Sequence, residues 1–291
     1  MSDSTSLPAS LTKHLDYLAH PLPRQVSTHA SLIHPVELQQ RSAACSENTG
    51  TGTTGTTLWL GAQLMAAYLA ESLGYIDEGQ SSKQVIELGG GVGYLAIVLA
   101  AMGYDVTTTD IEPPLSQVLR PNIERNSARF ARGSITARDL DWCAFPSDVT
   151  STETGPLDDQ ATSHDTLAEW TQPWDSIVTT DTIYHADLVD PLIKSLRGLS
   201  ILAAYAKQAK RNEKDISDGL SYPPVYVALE NRDPRLVNDA LEAAKAHGFV
   251  LKRISPSRVD KCLLKSGWSW DRDAKQDYDG IQLWKWRLAG A

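Results

Sequence analysis

Two groups of residues in this 291-residue chain have the types and spacing to do chemistry. The first is a glycine cluster, Gly89, Gly90, Gly91 and Gly93. It follows the apolar run from Val85 to Leu88 and precedes a helix-length apolar run from Tyr94 to Met102. Glycines there let the backbone turn tightly and come close to a ligand without Cβ clashes. Asp110 ends the next expected strand, 105–110, and its carboxylate can accept two hydrogen bonds from a ribose diol. Glu87, two residues before the cluster, is too early for that role; it orders the glycine loop or receives an amino group. The second group is Asp181 and Tyr184, directly after an expected strand at 174–180. In an open α/β sheet the carboxyl end of a central strand is where ligands meet reacting side chains.

These residues need a frame. Strand, glycine turn, helix and strand over 85–110 predict the first half of a nucleotide-binding α/β fold, with the ligand across strand ends and a helix N-terminus. A dinucleotide fingerprint requires a third glycine where this chain has Tyr94, which disfavours a nicotinamide-dependent oxidoreductase. Apolar spacing predicts a helix over 58–73, and Pro113 and Pro114 suit the start of another reaching Ala128. Further helices are expected at 188–210 and at 234–247, the latter stopped by Gly248. Strands are expected at 134–140, 224–230, 249–255 and 281–288. Residues 1–50 read as an N-terminal leader and 51–291 as one domain, with a Gly/Thr loop at 46–57 and polar insertions near 143–172 and 210–222.

Composition bounds the function. With 42% hydrophobic residues the chain can build a full core, and a net charge of −9 argues against a nucleic-acid surface. Three scattered cysteines form neither a disulfide framework nor a metal pattern. The first residues lack the basic and apolar regions of a signal peptide, and no apolar run reaches membrane-spanning length. The expectation is a metal-free, monomeric protein of the cytoplasm, with the nucleus as a second compartment.

The acidic-x-G-x-G-x-G pattern of Glu87, Gly89, Gly91 and Gly93 resembles motif I of the class I, seven-strand methyltransferases, which bind S-adenosyl-L-methionine. Asp181-Thr182-Ile183-Tyr184 resembles the (D/E)-x-x-(Y/F) motif of the family-16 protein-lysine methyltransferases. Leu58-Trp59 and Leu140-Asp141-Trp142 are similar to two tryptophan motifs of the same group, and the resemblance covers about residues 50–255. It implies an α/β Rossmann-like seven-strand sheet, mostly parallel with an antiparallel terminal strand, and helices on both faces. It implies contacts to the cofactor from Trp59, Glu87, Gly89, Gly90, Gly91, Asp110, Trp142 and Thr180, with Asp181 and Tyr184 catalytic. It further implies methyl transfer to a lysine of a protein substrate, such as a translation factor, leaving S-adenosyl-L-homocysteine. The family loop usually reads G-A/S-G-T-G, and Val92 here removes a hydroxyl.

Other readings remain open at this level. Asp181 could cap the following turn, Trp59 and Trp142 could be core aromatics, and Tyr184 could wall a lysine channel or fill the core. His185 reads as a surface or packing residue. Trp268, Trp270, Trp284 and Trp286 read as packing for the terminal hairpin. A small-molecule N-methyltransferase and a non-catalytic cofactor-binding partner protein are the alternatives to the lysine methyltransferase.

Overall fold

A computed structural model describes residues 7–30, 34–41, 55–129, 132–146, 149, 167–210, 220–268, 270, 278 and 280–290. Most of the expected Gly/Thr loop and the centres of both polar insertions lie outside the described residues.

The chain begins with an antiparallel hairpin of β1 (Tyr17–His20) and β2 (Val36–Gln39), with the short helix α1 (Arg24–His29) between them. Then follow α2 (Leu60–Ser72), β3 (Gln84–Leu88), α3 (Tyr94–Ala101), β4 (Asp105–Asp110), α4 (Arg120–Asn126), β5 (Ser134–Asp139) and β6 (Ser176–Thr180). The rest is α5 (Ala186–Ala209), β7 (Val225–Glu230), α6 (Pro234–Ala246), β8 (Phe249–Arg253), α7 (Pro256–Lys265) and β9 (Ile281–Leu288).

Seven strands form one sheet in the order β5-β4-β3-β6-β7-β9-β8. The first five run parallel, and β9 is antiparallel to both β7 and β8. This is the expected seven-strand methyltransferase sheet. The chain winds outward from β3 to β5, then returns to β6 beside β3. That reversal is the switch point, where a crevice opens beyond the carboxyl ends of β3 and β6.

Side-chain alternation builds a layer on each face. Tyr226 and Ala228 of β7 point into a core with α2, α3 and α7, whereas Val225, Val227 and Leu229 point into one with α5 and α6. α3 is apolar on every side because it is wholly buried.

Three features depart from the sequence reading. The stretch expected as one helix to Ala128 is a π-helical turn, Leu115–Leu119, followed by α4 and a 3-10 turn. Pro121 has no N–H to continue the ladder, and the turn before it widens. The amphipathic helix α7 carries only Val259, Cys262 and Leu263 as buried residues, a weak stripe. The hairpin before residue 41 packs on the domain: Ala9, Leu22, Val26, Val36 and Leu38 are buried in the α2/α3 core. Polar pairing fixes it there. Asn122 and Asn126 of α4 each accept from and donate to the backbone of β2, at Gln39 and Glu37. Gln63 of α2 accepts from the Ala9 amide at 2.8 Å and donates to Leu7 O at 3.0 Å. His20, buried and neutral because burial drives its pKa down to about 3, meets Gln63 and the rings of Tyr94 and Trp268. Trp268, which also stacks on Trp270, therefore packs against the N-terminal hairpin.

Candidate active site

The glycine turn after β3 carries the crevice floor. Gly89, at φ 71°, has a backbone that L side chains rarely adopt, and a Cβ there would lie 2.6 Å from Thr182 Cγ2. A Cβ at Gly90 would overlap the Thr108 hydroxyl. The Gly91 amide donates to Asp110 Oδ2 at 2.8 Å, and the Ile111 amide donates to Oδ1 at 2.9 Å. Asp110 therefore braces the loop while facing the crevice. Burial raises its pKa to about 6 against the pull of those two amides, with Asp139 adding to the rise.

Glu87 does not line the cavity. It lies beneath the loop, 1% exposed, where Thr108 Oγ1 donates to its Oε2 at 2.7 Å. Burial, supported by the charge of Asp110, raises its pKa to about 8, although the Thr108 bond opposes this. The placement is that of a loop support.

The cavity has a volume of about 350 Å³, in the range of small-ligand sites. Its walls include Trp59, Gly89, Gly90, Gly91, Asp110, Trp142, Thr180, Asp181 and Tyr184, so the structure brings nine of the ten sequence-predicted residues together and leaves Glu87 just below. The edge of the Trp142 indole lies against Gly89. Gly55 and Thr57, from the end of the Gly/Thr segment, close the opposite side, with the Gly55 carbonyl over Gly91. Tyr184 stands at the rim, 47% exposed, and so is not a core residue.

Asp181 is the anomaly of this site. Among described residues it is the non-glycine with a positive φ, 56°. Such backbone is costly and persists where surrounding structure imposes it, often at functional sites. Part of the residue faces open space, but both carboxylate oxygens are shielded and neither has a hydrogen-bond partner. The carboxylate abuts Gly61 in the first turn of α2, and a Cβ there would overlap it. The Gly61 amide pulls its pKa down electrostatically, yet its geometry falls short of a hydrogen bond. Burial dominates, Glu230 adds to it, and the pKa rises to about 7 despite Arg232 and Lys13. Asp181 does not cap the turn after it; His185, exposed, accepts from the Asp187 amide at the start of α5 instead.

Sequence reasoning missed three charged neighbours. Glu230 ends β7, pairs with Arg232, and both line the cavity. Lys13, from the N-terminal segment, places its Nζ 3.5 Å from the centroid of the Trp59 ring, and the Arg232 guanidinium lies 4.7 Å from it. Glu230 was findable, since it closes a parallel strand next to β6. Lys13 carried no local signal.

The glycine cradle, the Asp110 carboxylate on the cavity wall and the aromatic wall of Trp142 fit a nucleoside-bearing ligand such as S-adenosyl-L-methionine. Comparison with known proteins agrees. Residues 37–158 match the family described as lysine methyltransferase. The chain is 27% identical over 179 residues to calmodulin-lysine N-methyltransferase of Arabidopsis thaliana, covering 57% of this chain and 52% of that one. It is 34% identical over 85 residues to protein N-lysine methyltransferase METTL21A of Danio rerio, covering 29% and 37%. The matched stretches thus span about half or less of these relatives. Among solved structures, the CcbJ methyltransferase of Streptomyces caelestis is similar at a TM-score of 0.44 and 13% identity, over 79% of this chain and 90% of that one. It is the strand order, not this likeness, that defines the fold. The match to the lysine methyltransferase family lies across the glycine loop and both tryptophan motifs, and the strand order is that of the seven-strand class.

Proposed function

We propose that this protein is a protein-lysine N-methyltransferase that uses S-adenosyl-L-methionine as donor. The observation that carries the reading is Asp181: a shielded carboxylate without a partner, on strained backbone, at the carboxyl end of β6 and facing the cofactor crevice. The named activities of the curated relatives support it. In this reading the glycine loop, Asp110 and Trp142 hold the donor, with Thr180 completing its walls and Glu87 supporting the loop from below, and Trp59 stands where the donor and acceptor ends of the cavity meet.

Bound S-adenosyl-L-methionine supplies an electrophilic methyl group on a sulfonium, so the chain's own task is to position an acceptor and manage its proton. A lysine arrives as an ammonium and must lose a proton before its lone pair can react. Asp181, with a pKa of about 7, is divided between both protonation states near neutrality. It can hold the ammonium, orient the amine and receive or relay the proton. Glu230 adds negative potential beside it, and Tyr184 at the rim offers a ring face to the incoming cation.

The test is incubation with methyl-labelled S-adenosyl-L-methionine and a lysate lacking this enzyme, with Asp181→Ala in parallel. Label in a discrete protein band, mapped to lysine and absent with the variant, is the expected result. Label confined to small molecules, or undiminished with Asp181→Ala, would overturn the assignment.

A further inference from the structure

The acceptor end of the cavity already holds a cation supplied by the chain itself. Lys13 Nζ stands 3.5 Å from the centroid of Trp59, well inside cation–π range. Trp59 lines the cavity together with Asp181, Glu230 and Arg232. Burial and then Arg232 lower the pKa of Lys13, while Glu230 and Asp181 favour its charged form. Arg232 has its own carboxylate partner in Glu230.

The position of Lys13 is built, not incidental. Thr12, 1% exposed, gives its carbonyl to Gln40 Nε2 at 3.0 Å, and the Leu15 carbonyl accepts from the same amide at 2.9 Å. Gln40 Oε1 in turn accepts from the Leu58 amide, one residue before Trp59, at 2.7 Å. One side chain therefore ties the backbone around Lys13 to the backbone that presents Trp59. One cavity is thus lined both by an acid without a hydrogen-bond partner and by an indole with a lysine resting on it.

We propose that Lys13 is a specificity-determining residue of the acceptor site: it occupies the Trp59 face as a resident cation that an incoming alkylammonium must displace. This rests on the reading of the cavity as an amine-acceptor site. A neutral acceptor gains nothing from a surface already covered by charge. A primary ammonium can replace Lys13 on the indole with like for like and reach Asp181 in the same cavity. The resident lysine thereby sets how strongly the site takes a free amine and leaves the rest of the affinity to contacts with the substrate's surrounding surface.

The probe is n-butylammonium, the lysine side chain without its backbone. It is titrated into the full chain carrying 15N-labelled tryptophan, and the Trp59 indole resonance is identified with Trp59→Phe. Lys13→Met keeps the length of the side chain and removes its charge; Lys13→Arg keeps the charge. Thermal melting of each variant reports folding. Losing one competing cation–π contact predicts roughly threefold to tenfold tighter butylammonium binding by Lys13→Met, with Lys13→Arg close to the parent chain. Equal or weaker binding by Lys13→Met, with the Trp59 resonance still responding, would overturn the role of Lys13 and leave the amine site standing. No response to butylammonium in either protein would overturn both this proposal and the amine-acceptor reading beneath it.

Discussion

The two halves of the crevice are built on opposite terms. On the side of β3 and β4, polar groups are internally paired. Asp110 takes two backbone amides, Glu87 takes the Thr108 hydroxyl, and the turns that would strain other residues are given to glycine. On the side of β6 and β7, a non-glycine residue carries the strained backbone, its carboxylate is unpaired, and Lys13 and Arg232 crowd one indole. A site that binds the same cofactor in every cycle gains from being preorganised, because little is left to rearrange. A site that must receive a cation and move its proton gains from a carboxylate with nothing else to hold. Among the described residues of the crevice, the strained non-glycine backbone and the carboxylate without a hydrogen-bond partner both lie in the half that would meet the substrate.

Breaking the unpaired half should have the largest effect. Asp181→Ala is expected to lower kcat by about 10²–10⁴-fold while S-adenosyl-L-methionine affinity stays near that of the parent, as calorimetry would show. If affinity falls and turnover does not, the two halves have been assigned the wrong way round.

The paired half should show itself in the stability of the unliganded chain. Glu87 has a pKa raised by burial from near 4.5 to about 8. The folded state therefore holds its proton where the unfolded state has released it, so this group's contribution falls as pH rises through that window. Urea unfolding should lose on the order of 3 kcal/mol between about pH 5 and pH 8 on this account, and Glu87→Gln should flatten the curve. A slope unchanged in Glu87→Gln would remove Glu87 as its source.

Asp110→Asn presents an amide nitrogen to a pocket of N–H donors and gives up a charged acceptor. Cofactor binding should weaken by about 10- to 100-fold in titration calorimetry, with kcat at saturating cofactor changing far less. A fall in saturated kcat as large as the fall in affinity would blur the division between the halves.

The smallest effect sharpens the comparison. Gly61→Ala puts a methyl group where the Asp181 carboxylate now sits, in a helical turn that itself accepts alanine. Turnover should drop roughly tenfold through the displaced carboxylate. The melting temperature should hold or rise, because alanine favours the helix by about 1 kcal/mol over glycine. Parent-like turnover would show that the carboxylate can move without consequence.

The legibility of these halves in the sequence also differs. The glycine turn, β3, β4 and Asp110 are close in sequence, and their pattern follows from local backbone demands; the observed β3 takes in the apolar run 85–88, and β4 coincides with the expected 105–110. β9 was equally plain because its apolar residues alternate. Asp181 and Tyr184 were visible only as the end of a strand, and neither the positive φ nor the isolation of the carboxylate has a signature in residue type. The hairpin β1–β2 was not visible at all. Its strands are four residues each, and it is held by Asn122, Asn126, Gln40 and Gln63, polar side chains indistinguishable in sequence from surface residues.

By itself, then, the sequence determined the order of the seven sheet strands and of most helices between them, the glycine turn and the acid at the end of β4, since each depends on residues within a few positions of one another. Tertiary structure alone decided what surrounds Asp181. Gly61, Glu230 and Arg232 reach it from α2 and from the end of β7, and Lys13 reaches the neighbouring indole from the N-terminal segment. Burial and opposing charge set the properties of a carboxylate, and both are supplied by chain that is distant in sequence and adjacent only after the sheet has closed.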